Sequence, residues 1–256
     1  MNNFLNNFNF TDKKVFLVGG NGLIGSEILN ILNQLNAEVV VFDRHENKIK
    51  KFKNYTFVQL NLNRKNVLEK KFKPYLKKNC PDILINCSYP KTKNWSKNNF
   101  TQINFNDYRK NIDLHLNTYA WIAKLTANEM TKKKIKGNIL FLSSIYGLVG
   151  QNLDVYKNTK IRENMTYAII KGGINTLTKS MASYYGNYGI RINALCAGGV
   201  NDNQSKTFIK NYNKIVPLKR LSTSNEIGNS AVFLCSDAAS YITGTLLLVD
   251  GGWTSI

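Results

Sequence analysis

Short apolar runs recur along this chain and are separated by segments of about helical length. The runs cover residues 15–18, 39–42, 57–60, 83–85, 139–142, 190–195 and 246–249. Their side chains do not alternate between apolar and polar, which is the pattern of parallel strands that are covered on both faces. The runs therefore predict a parallel, seven-stranded sheet.

Between these runs, apolar residues recur at helical spacing. The predicted helices cover residues 23–35, 67–76, 108–130, 167–185 and 226–234. Alternation of strands and helices predicts an α/β fold with a doubly wound sheet and helices on both faces. Ligands of such sheets bind at the carboxyl ends of the strands, so the residues that follow each run are the candidates for chemistry.

Chain length and charge narrow the possible classes of protein. The 256 residues fit one domain (1–256), with residues 1–10 as a short extension. The net charge of +19 would suit a nucleic-acid binder. However, the lysines are scattered along a chain that is also rich in Asn, so we expect no nucleic-acid partner and only a general attraction for anionic small molecules. Salt-sensitive binding to random duplex would contradict this expectation.

Export, membrane insertion and metal binding are not indicated. No apolar run approaches the roughly 20 residues that cross a bilayer, and residues 1–10 lack the basic start and apolar core of a signal peptide. The cysteines lie far apart, mostly within or beside apolar runs, which favours reduced thiols over disulfides or a metal cage. We expect a soluble cytoplasmic protein without a metal.

A glycine-rich turn follows the first predicted strand and precedes a helix. Gly19, Gly20, Gly22 and Gly25 fall within this turn. Glycine allows a tight turn and lets backbone N–H groups approach a pyrophosphate at the positive end of a helix. The order of strand, turn and helix predicts a dinucleotide site in a Rossmann-like domain. A glycine-rich turn that binds no nucleotide is the alternative.

Asp43 ends the second predicted strand and indicates which dinucleotide binds. A carboxylate at this place accepts both ribose hydroxyls of NAD and repels the extra phosphate of NADP. Arg44 follows directly and can hold that phosphate, so NADP is less favoured but still possible. A role for Asp43 in starting a turn is the structural alternative.

The predicted chemistry rests on a tyrosine, a lysine and a serine. Tyr167 and Lys171 are one helical turn apart on the same face, and Ser143 and Ser144 follow the strand of residues 139–142. A nearby ammonium favours the phenolate of a tyrosine, and a serine hydroxyl can bind a carbonyl oxygen as negative charge develops. These groups predict carbonyl/alcohol redox chemistry. A chance pair on a helix surface is the alternative for the tyrosine and lysine.

These motifs, in this order, resemble the short-chain dehydrogenase/reductase family over almost the whole chain. The matching segments are residues 140–147, 167–171, 190–200, 226–244 and 249–252. The resemblance implies that Ser144, Tyr167 and Lys171 are catalytic and that the chain forms a homodimer or homotetramer. It also implies cofactor contacts from Tyr167 and Lys171 and from Gly19, Asn21, Gly22, Leu23, Ile24, Asp43, Arg44, Asn61, Leu62, Asn86, Cys87, Ser88, Gly198 and Val200.

The chain departs from the family at its fourth catalytic position, an Asn on the long central helix that binds a relay water. His115 aligns with that position, and Asn111 lies one turn away on the same face. A histidine both donates and accepts hydrogen bonds, so His115 is the catalytic candidate and Asn111 its alternative. A purely structural role for His115 stays open.

Within the family, the chain resembles the PtmA-like oxidoreductases of bacterial flagellin modification, which are associated with nonulosonic (sialic-acid-like) sugars. The shared segments are residues 89–91, 114–116, 144–147, 156–160 and 198–204. The resemblance implies a sugar, sugar phosphate or nucleotide sugar as substrate. The candidate contacts to an anionic sugar are Tyr89, Tyr146, Tyr156 and Arg162. An ordinary solvated loop is the alternative for the long segment before Tyr167.

Two other functions stay open. A 3-oxoacyl-(acyl-carrier-protein) reductase has an acidic partner that would suit the basic surface, although such reductases commonly use NADP, whereas Asp43 favours NAD. A dinucleotide-binding sensor or scaffold would share the fold, but it would have no need of Ser144, Tyr167 and Lys171.

Overall fold

The computed structural model describes residues 4–64 and 66–256, which build a parallel seven-stranded sheet. The strands are β1 (Lys14–Val18), β2 (Glu38–Asp43), β3 (Thr56–Gln59), β4 (Ile83–Asn86), β5 (Asn138–Ser144), β6 (Arg191–Ala197) and β7 (Leu246–Val249). Each predicted apolar run overlaps one strand, with ends that shift by at most two residues. The predicted α/β fold with a doubly wound parallel sheet is confirmed.

The strand order β3-β2-β1-β4-β5-β6-β7 places the start of the chain in the middle of the sheet. The chain first builds outward from β1 to β3 and then returns to β4 on the other side. Connections on the two sides of such a point diverge and leave a crevice at the carboxyl ends of the strands. Val18 pairs with Phe42 and with Asn86, so β1, β2 and β4 end at the same level.

Helices connect the strands. They are α1 (Leu23–Gln34), α2 (Lys73–Lys78), α3 (Phe105–Asn111), α4 (Thr118–Lys132), α5 (Met165–Tyr185), α6 (Lys206–Ile215) and α7 (Ser224–Cys235). A π-helical turn, Leu68–Phe72, precedes α2, and a second one, Ile112–Asn117, joins α3 to α4. The predicted helices are all present, but α6 was not predicted, although its apolar residues Phe208, Ile209, Tyr212 and Ile215 recur at helical spacing.

Side chains from both faces of the sheet enter hydrophobic clusters. Phe16 lies in the cluster on one face and its neighbour Leu17 in the cluster on the other, as the alternation of a strand requires. A third cluster lies beyond the end of β5 and is formed by Ile145, Val155, Tyr212, Val216, Leu221 and Trp253. We call it the front cluster. Within the described residues, no helix is long and apolar enough to cross a bilayer.

Candidate active site

The glycine turn between β1 and α1 is shaped by close backbone contacts. Gly19 has a φ of +86°, and a Cβ on it would lie 2.6 Å from the backbone of Ser88. A Cβ on Gly25 would collide with the carbonyl group of Gly19. A side chain at either position would push apart backbone segments that are in contact. The turn therefore brings the first turn of α1 to the crevice, where its free N–H groups can receive a pyrophosphate.

The Asp43 carboxylate lies beside this turn at the end of β2. Its Oδ2 accepts the N–H of Asn21 at 2.9 Å, and its Oδ1 accepts the N–H of Arg44 at 2.6 Å. The Asn21 side chain accepts the N–H of Lys48 at 2.6 Å. Asp43 is thus fixed against the turn, while each oxygen keeps a second lone pair for a ribose hydroxyl. Arg44, His45 and Lys48 line the same end of the crevice.

Ser144 is the last residue of β5 and caps the short 3₁₀ turn that follows. Its Oγ accepts the N–H of Tyr146 at 3.2 Å, which leaves its own O–H free to donate. Ser144 also interacts with the Tyr167 hydroxyl group and lowers its pKa. Ser143 instead donates to Oδ1 of Asn175 at 2.5 Å. Of the two serines that end the strand, Ser144 is therefore the one whose hydroxyl is placed for chemistry.

Tyr167 lies in the first turn of α5, which begins after the N-cap residue Asn164. Oδ1 of Asn164 accepts the Tyr167 N–H at 2.9 Å and fixes the start of the helix. Burial raises the pKa of Tyr167 to about 12, and the hydrogen bond from Ser144 opposes this shift. Desolvation is the largest influence on the pKa of Tyr167 and favours the neutral phenol. The phenol is neutral at neutral pH and can donate a proton.

Lys171 is buried one turn further along α5, with 3% of its surface exposed. Its Nζ donates to the carbonyl oxygen of Leu142 at 2.7 Å and lies 5.6 Å from the centre of the Tyr167 ring. Burial lowers the pKa of Lys171 to about 7, because the ammonium loses its hydration. The hydrogen bond of Lys171 therefore links α5 to β5. Its lowered pKa lies close to neutral pH, so both protonation states are populated there.

His115 is fully buried in the π-helical turn between α3 and α4. Neither ring nitrogen has a partner within residues 4–64 and 66–256, and burial, with Lys171 nearby, holds the pKa of His115 well below its ordinary value. Its ring packs against Tyr89, with 5.4 Å between centroids. Asn111 differs, because its amide binds both the N–H and the hydroxyl of Thr92 at 3.0 Å. Asn111 thus has a structural use, whereas His115 keeps a free donor and a free acceptor.

Two aromatic rings from the loop after β4 cover Tyr167. The Tyr89 ring lies 5.9 Å and the Trp95 ring 6.3 Å from the Tyr167 ring, both edge to face. Asn164 holds this loop in place, since its Nδ2 donates to the Trp95 carbonyl at 3.1 Å. Trp95 was not predicted, because no local sequence pattern marks it and only the fold brings it to α5.

The long segment before α5 contributes tyrosines to the site rather than cations. Tyr146 and Tyr156 interact electrostatically with each other and with Tyr167. Arg162 instead pairs with Glu163 at 3.4 Å, and 52% of its side chain is exposed. The substrate contact from Arg162 stays a prediction.

One cavity of about 600 Å³ extends from the glycine turn past Asp43 to Tyr167 and Lys171, a size typical of small-molecule sites. The predicted cofactor residues that line it are Gly19, Asn21, Gly22, Leu23, Ile24, Asp43, Arg44, Leu62, Cys87, Ser88, Tyr167, Lys171, Gly198 and Val200. Asn61 lines a smaller neighbouring cavity. Asn86 is buried, and its Oδ1 accepts the Ser88 hydroxyl at 2.8 Å.

A glycine turn at the start of a helix, the Asp43 carboxylate and a tyrosine next to a buried lysine share this cavity, which is the arrangement of an oxidoreductase that uses a nicotinamide dinucleotide. A family model described as enoyl-(acyl carrier protein) reductase matches residues 21–254. The chain belongs to the short-chain dehydrogenase/reductase family.

Similar proteins include the post-translational flagellin modification protein A of Campylobacter coli, which is 31% identical over 94% of this chain and 98% of its own length. The 3-oxoacyl-(acyl-carrier-protein) reductase FabG of Buchnera aphidicola is 29% identical over 94% of this chain and 97% of its own. A solved structure of a short-chain dehydrogenase from Leptospira borgpetersenii with bound NAD⁺ is 30% identical, with a TM-score of 0.88 over 99% of this chain and 96% of the other.

The burial of Lys171 should make folding stability depend on pH. Folding lowers its pKa from 10.5 to about 7, so between these values the unfolded chain binds more protons and the contribution of Lys171 to stability rises with pH. We therefore expect the difference in free energy of unfolding, Lys171→Met minus wild type, to be largest below pH 7. This difference should fall as the pH rises towards 10, whatever constant amount the lost hydrogen bond and the changed packing add at every pH. Urea unfolding at a series of pH values measures it.

Lys136→Met, at an exposed position, is the matched control and should give no such trend. A difference between wild type and Lys171→Met that stays constant from pH 6 to pH 10 would show that Lys171 does not titrate in this window.

Proposed function

We propose that this protein interconverts a carbonyl and an alcohol reversibly with NAD(H), on a sugar, sugar phosphate or nucleotide sugar of a bacterial surface-glycan or flagellin-modification process. The observation that carries the proposal is that Ser144 acts on Tyr167, which lines one end of the cofactor cavity together with Lys171. The tyrosine hydroxyls around this point and the similarity to a flagellin modification protein support a sugar substrate.

Side chains of this protein transfer the proton. In the direction of reduction, the O–H of Ser144 donates a hydrogen bond to the substrate carbonyl oxygen, and Tyr167 transfers its proton to that oxygen. Lys171 stabilises the phenolate that remains, since its ammonium lies beside the Tyr167 ring. When bound, the nicotinamide supplies the hydride that reaches the carbonyl carbon. Oxidation of the alcohol is the reverse of these steps.

Tyr167→Phe should abolish NAD-linked turnover, because only the proton-transferring hydroxyl is removed. Ser144→Ala should lower kcat by ~10²-fold, as expected for the loss of one donor to a developing oxyanion. Both effects are measured by NADH absorbance with a panel of sugars and sugar phosphates, after NADH binding has been checked by fluorescence.

Tyr241→Phe is the matched control, because this tyrosine is fully exposed at the amino-terminal side of the sheet and should keep full activity. A Tyr167→Phe enzyme within a few-fold of wild type would rule out the proposed proton transfer.

We further propose that NAD is preferred over NADP, because the fixed Asp43 carboxylate would meet a 2′-phosphate. NADH should bind at least about tenfold more tightly than NADPH, and Asp43→Ala should narrow this difference. Fluorescence titration of both cofactors measures the two dissociation constants. Asp237→Ala, at the opposite end of the sheet, should leave the ratio unchanged. A tenfold preference for NADPH would mean that Arg44 and Lys48 govern this end of the cavity.

His115 is proposed as the residue that holds a relay water, since its free donor and acceptor are buried beside Tyr89 and Lys171. His115→Asn keeps both hydrogen-bonding functions and should retain kcat within about tenfold, whereas His115→Leu should lose ~10²-fold. Thermal melting of both variants separates this loss from misfolding. A Leu variant that melts like the wild type and keeps its kcat would assign His115 a structural role only.

A 3-oxoacyl-(acyl-carrier-protein) reductase is the second candidate, favoured by the similarity to FabG of Buchnera aphidicola. The hydroxyl-bearing tyrosines beside Tyr167 argue against an acyl chain at this place. Robust turnover of a 3-oxoacyl thioester, with none of any sugar in the panel, would favour this second function.

A further inference from the structure

Tyr119 is a buried tyrosine that has no role in the proposed proton transfer. Among residues 4–64 and 66–256, it is the largest side chain that is fully buried. It belongs to the first turn of α4 and lies against the cavity that also contains Tyr167 and Lys171. A buried tyrosine needs a partner for its hydroxyl group, so the contacts of Tyr119 indicate what it does.

The hydroxyl group of Tyr119 binds the loop that follows β4. It donates a hydrogen bond to the carbonyl oxygen of Ser88 at 2.8 Å. Ser88 lines the cofactor cavity, and its backbone lies so close to Gly19 that a Cβ on the glycine would be 2.6 Å away. The hydrogen bond therefore holds the loop at the point where the loop packs against the glycine turn. Loss of the hydroxyl group would deprive the buried Ser88 of this bond.

The ring of Tyr119 contacts the catalytic lysine. Nζ of Lys171 lies over this ring, 5.5 Å from its centre, and 5.6 Å from the centre of the Tyr167 ring. The faces of aromatic rings attract an ammonium at such distances, and the attraction is strongest where water is excluded. Tyr119 and Lys171 are both buried, so this condition is met. The Tyr119 ring therefore favours the charged form of Lys171, which the proposed stabilisation of the phenolate requires.

We propose that Tyr119 is a positioning residue with two separate tasks. Its hydroxyl group holds the Ser88 backbone for cofactor binding, and its ring holds the Lys171 ammonium beside Tyr167 for the proton transfer. This inference rests on the carbonyl/alcohol chemistry of the proposed function and adds a residue to it, whatever the substrate is. The two tasks can be tested separately, because phenylalanine keeps the ring and loses the hydroxyl group, whereas leucine loses both.

Tyr119→Phe should weaken cofactor binding and leave the chemical step almost unchanged. We expect the dissociation constant of NADH to rise by about three- to tenfold, because the loss of one buried hydrogen bond frees the Ser88 backbone. At saturating cofactor, kcat should stay within about twofold of wild type, since the ring still faces Lys171. Fluorescence titration measures NADH binding, and NADH absorbance measures kcat with whichever substrate reacts.

Tyr119→Leu should in addition lower kcat at saturating cofactor, by at least about tenfold relative to Tyr119→Phe, because leucine presents no ring face to Lys171. Tyr119→Met fills more of the vacated space and takes its place if the leucine variant does not fold. His115 also packs on the Tyr119 ring, with 5.1 Å between centroids. The substitution is therefore repeated in the His115→Asn background, where the loss of kcat should have the same size if the ring acts through Lys171.

Tyr185→Phe is the matched control. Tyr185 is also a buried tyrosine, and its hydroxyl group donates to Oδ1 of Asn128 at 2.6 Å. It is the last residue of α5, whereas Tyr167 lies in the first turn of this helix. The control variant loses a comparable hydrogen bond but should bind NADH and turn over substrate like the wild type. Thermal melting of each variant shows whether its fold is intact.

The outcomes separate this inference from the function on which it rests. The task of the hydroxyl group is overturned if Tyr119→Phe binds NADH as tightly as the wild type and Tyr185→Phe do. The task of the ring is overturned if the leucine and phenylalanine variants have equal kcat, or if the loss disappears in the His115→Asn background. If only a 3-oxoacyl thioester reacts, the proposed sugar substrate fails, whereas the same measurements with the thioester still decide the role of Tyr119.

Discussion

The arrangement of the site depends on one hydrogen bond inside the protein, from the Lys171 ammonium to the carbonyl oxygen of Leu142. Leu142 belongs to β5 and Lys171 to α5, so the bond joins the strand that carries Ser144 to the helix that carries Tyr167. Burial of a lysine is unfavourable unless it is paired, and this carbonyl is the group that pairs it. The spacing between the two catalytic hydroxyls follows from where the strand and the helix are tied together.

The same desolvation sets the acid–base properties of the site. It raises the pKa of Tyr167 and lowers that of Lys171, so both groups are pushed towards their neutral forms. A neutral phenol suits the delivery of a proton to a carbonyl oxygen. A negative charge that develops on the phenol would in turn favour the charged lysine. The two groups are therefore coupled, and a change at either one alters the proton affinity of the other.

The sequence predicts the parts of this molecule that local patterns determine. Continuous apolar runs predict the ends of the strands to within two residues, because strands that are buried on both faces are apolar at every position. Chain order likewise places Asp43 beside the glycine turn. Trp95 could not be predicted, since its position against Tyr167 depends on Asn164, a residue distant in sequence. For Arg162, the sequence shows the charge but not the ion pair that its side chain forms with Glu163.

The front cluster is separate from the two clusters that pack against the sheet, so the residues of the front cluster and of the large cores have different roles. The large cores carry most of the buried apolar surface and hence most of the folding free energy. The front cluster unites α6, Val155 and Trp253 with the turn after Ser144, and it contributes far fewer side chains. A substitution in the front cluster would therefore act on the turn after Ser144 without removing a side chain from either of the two large cores.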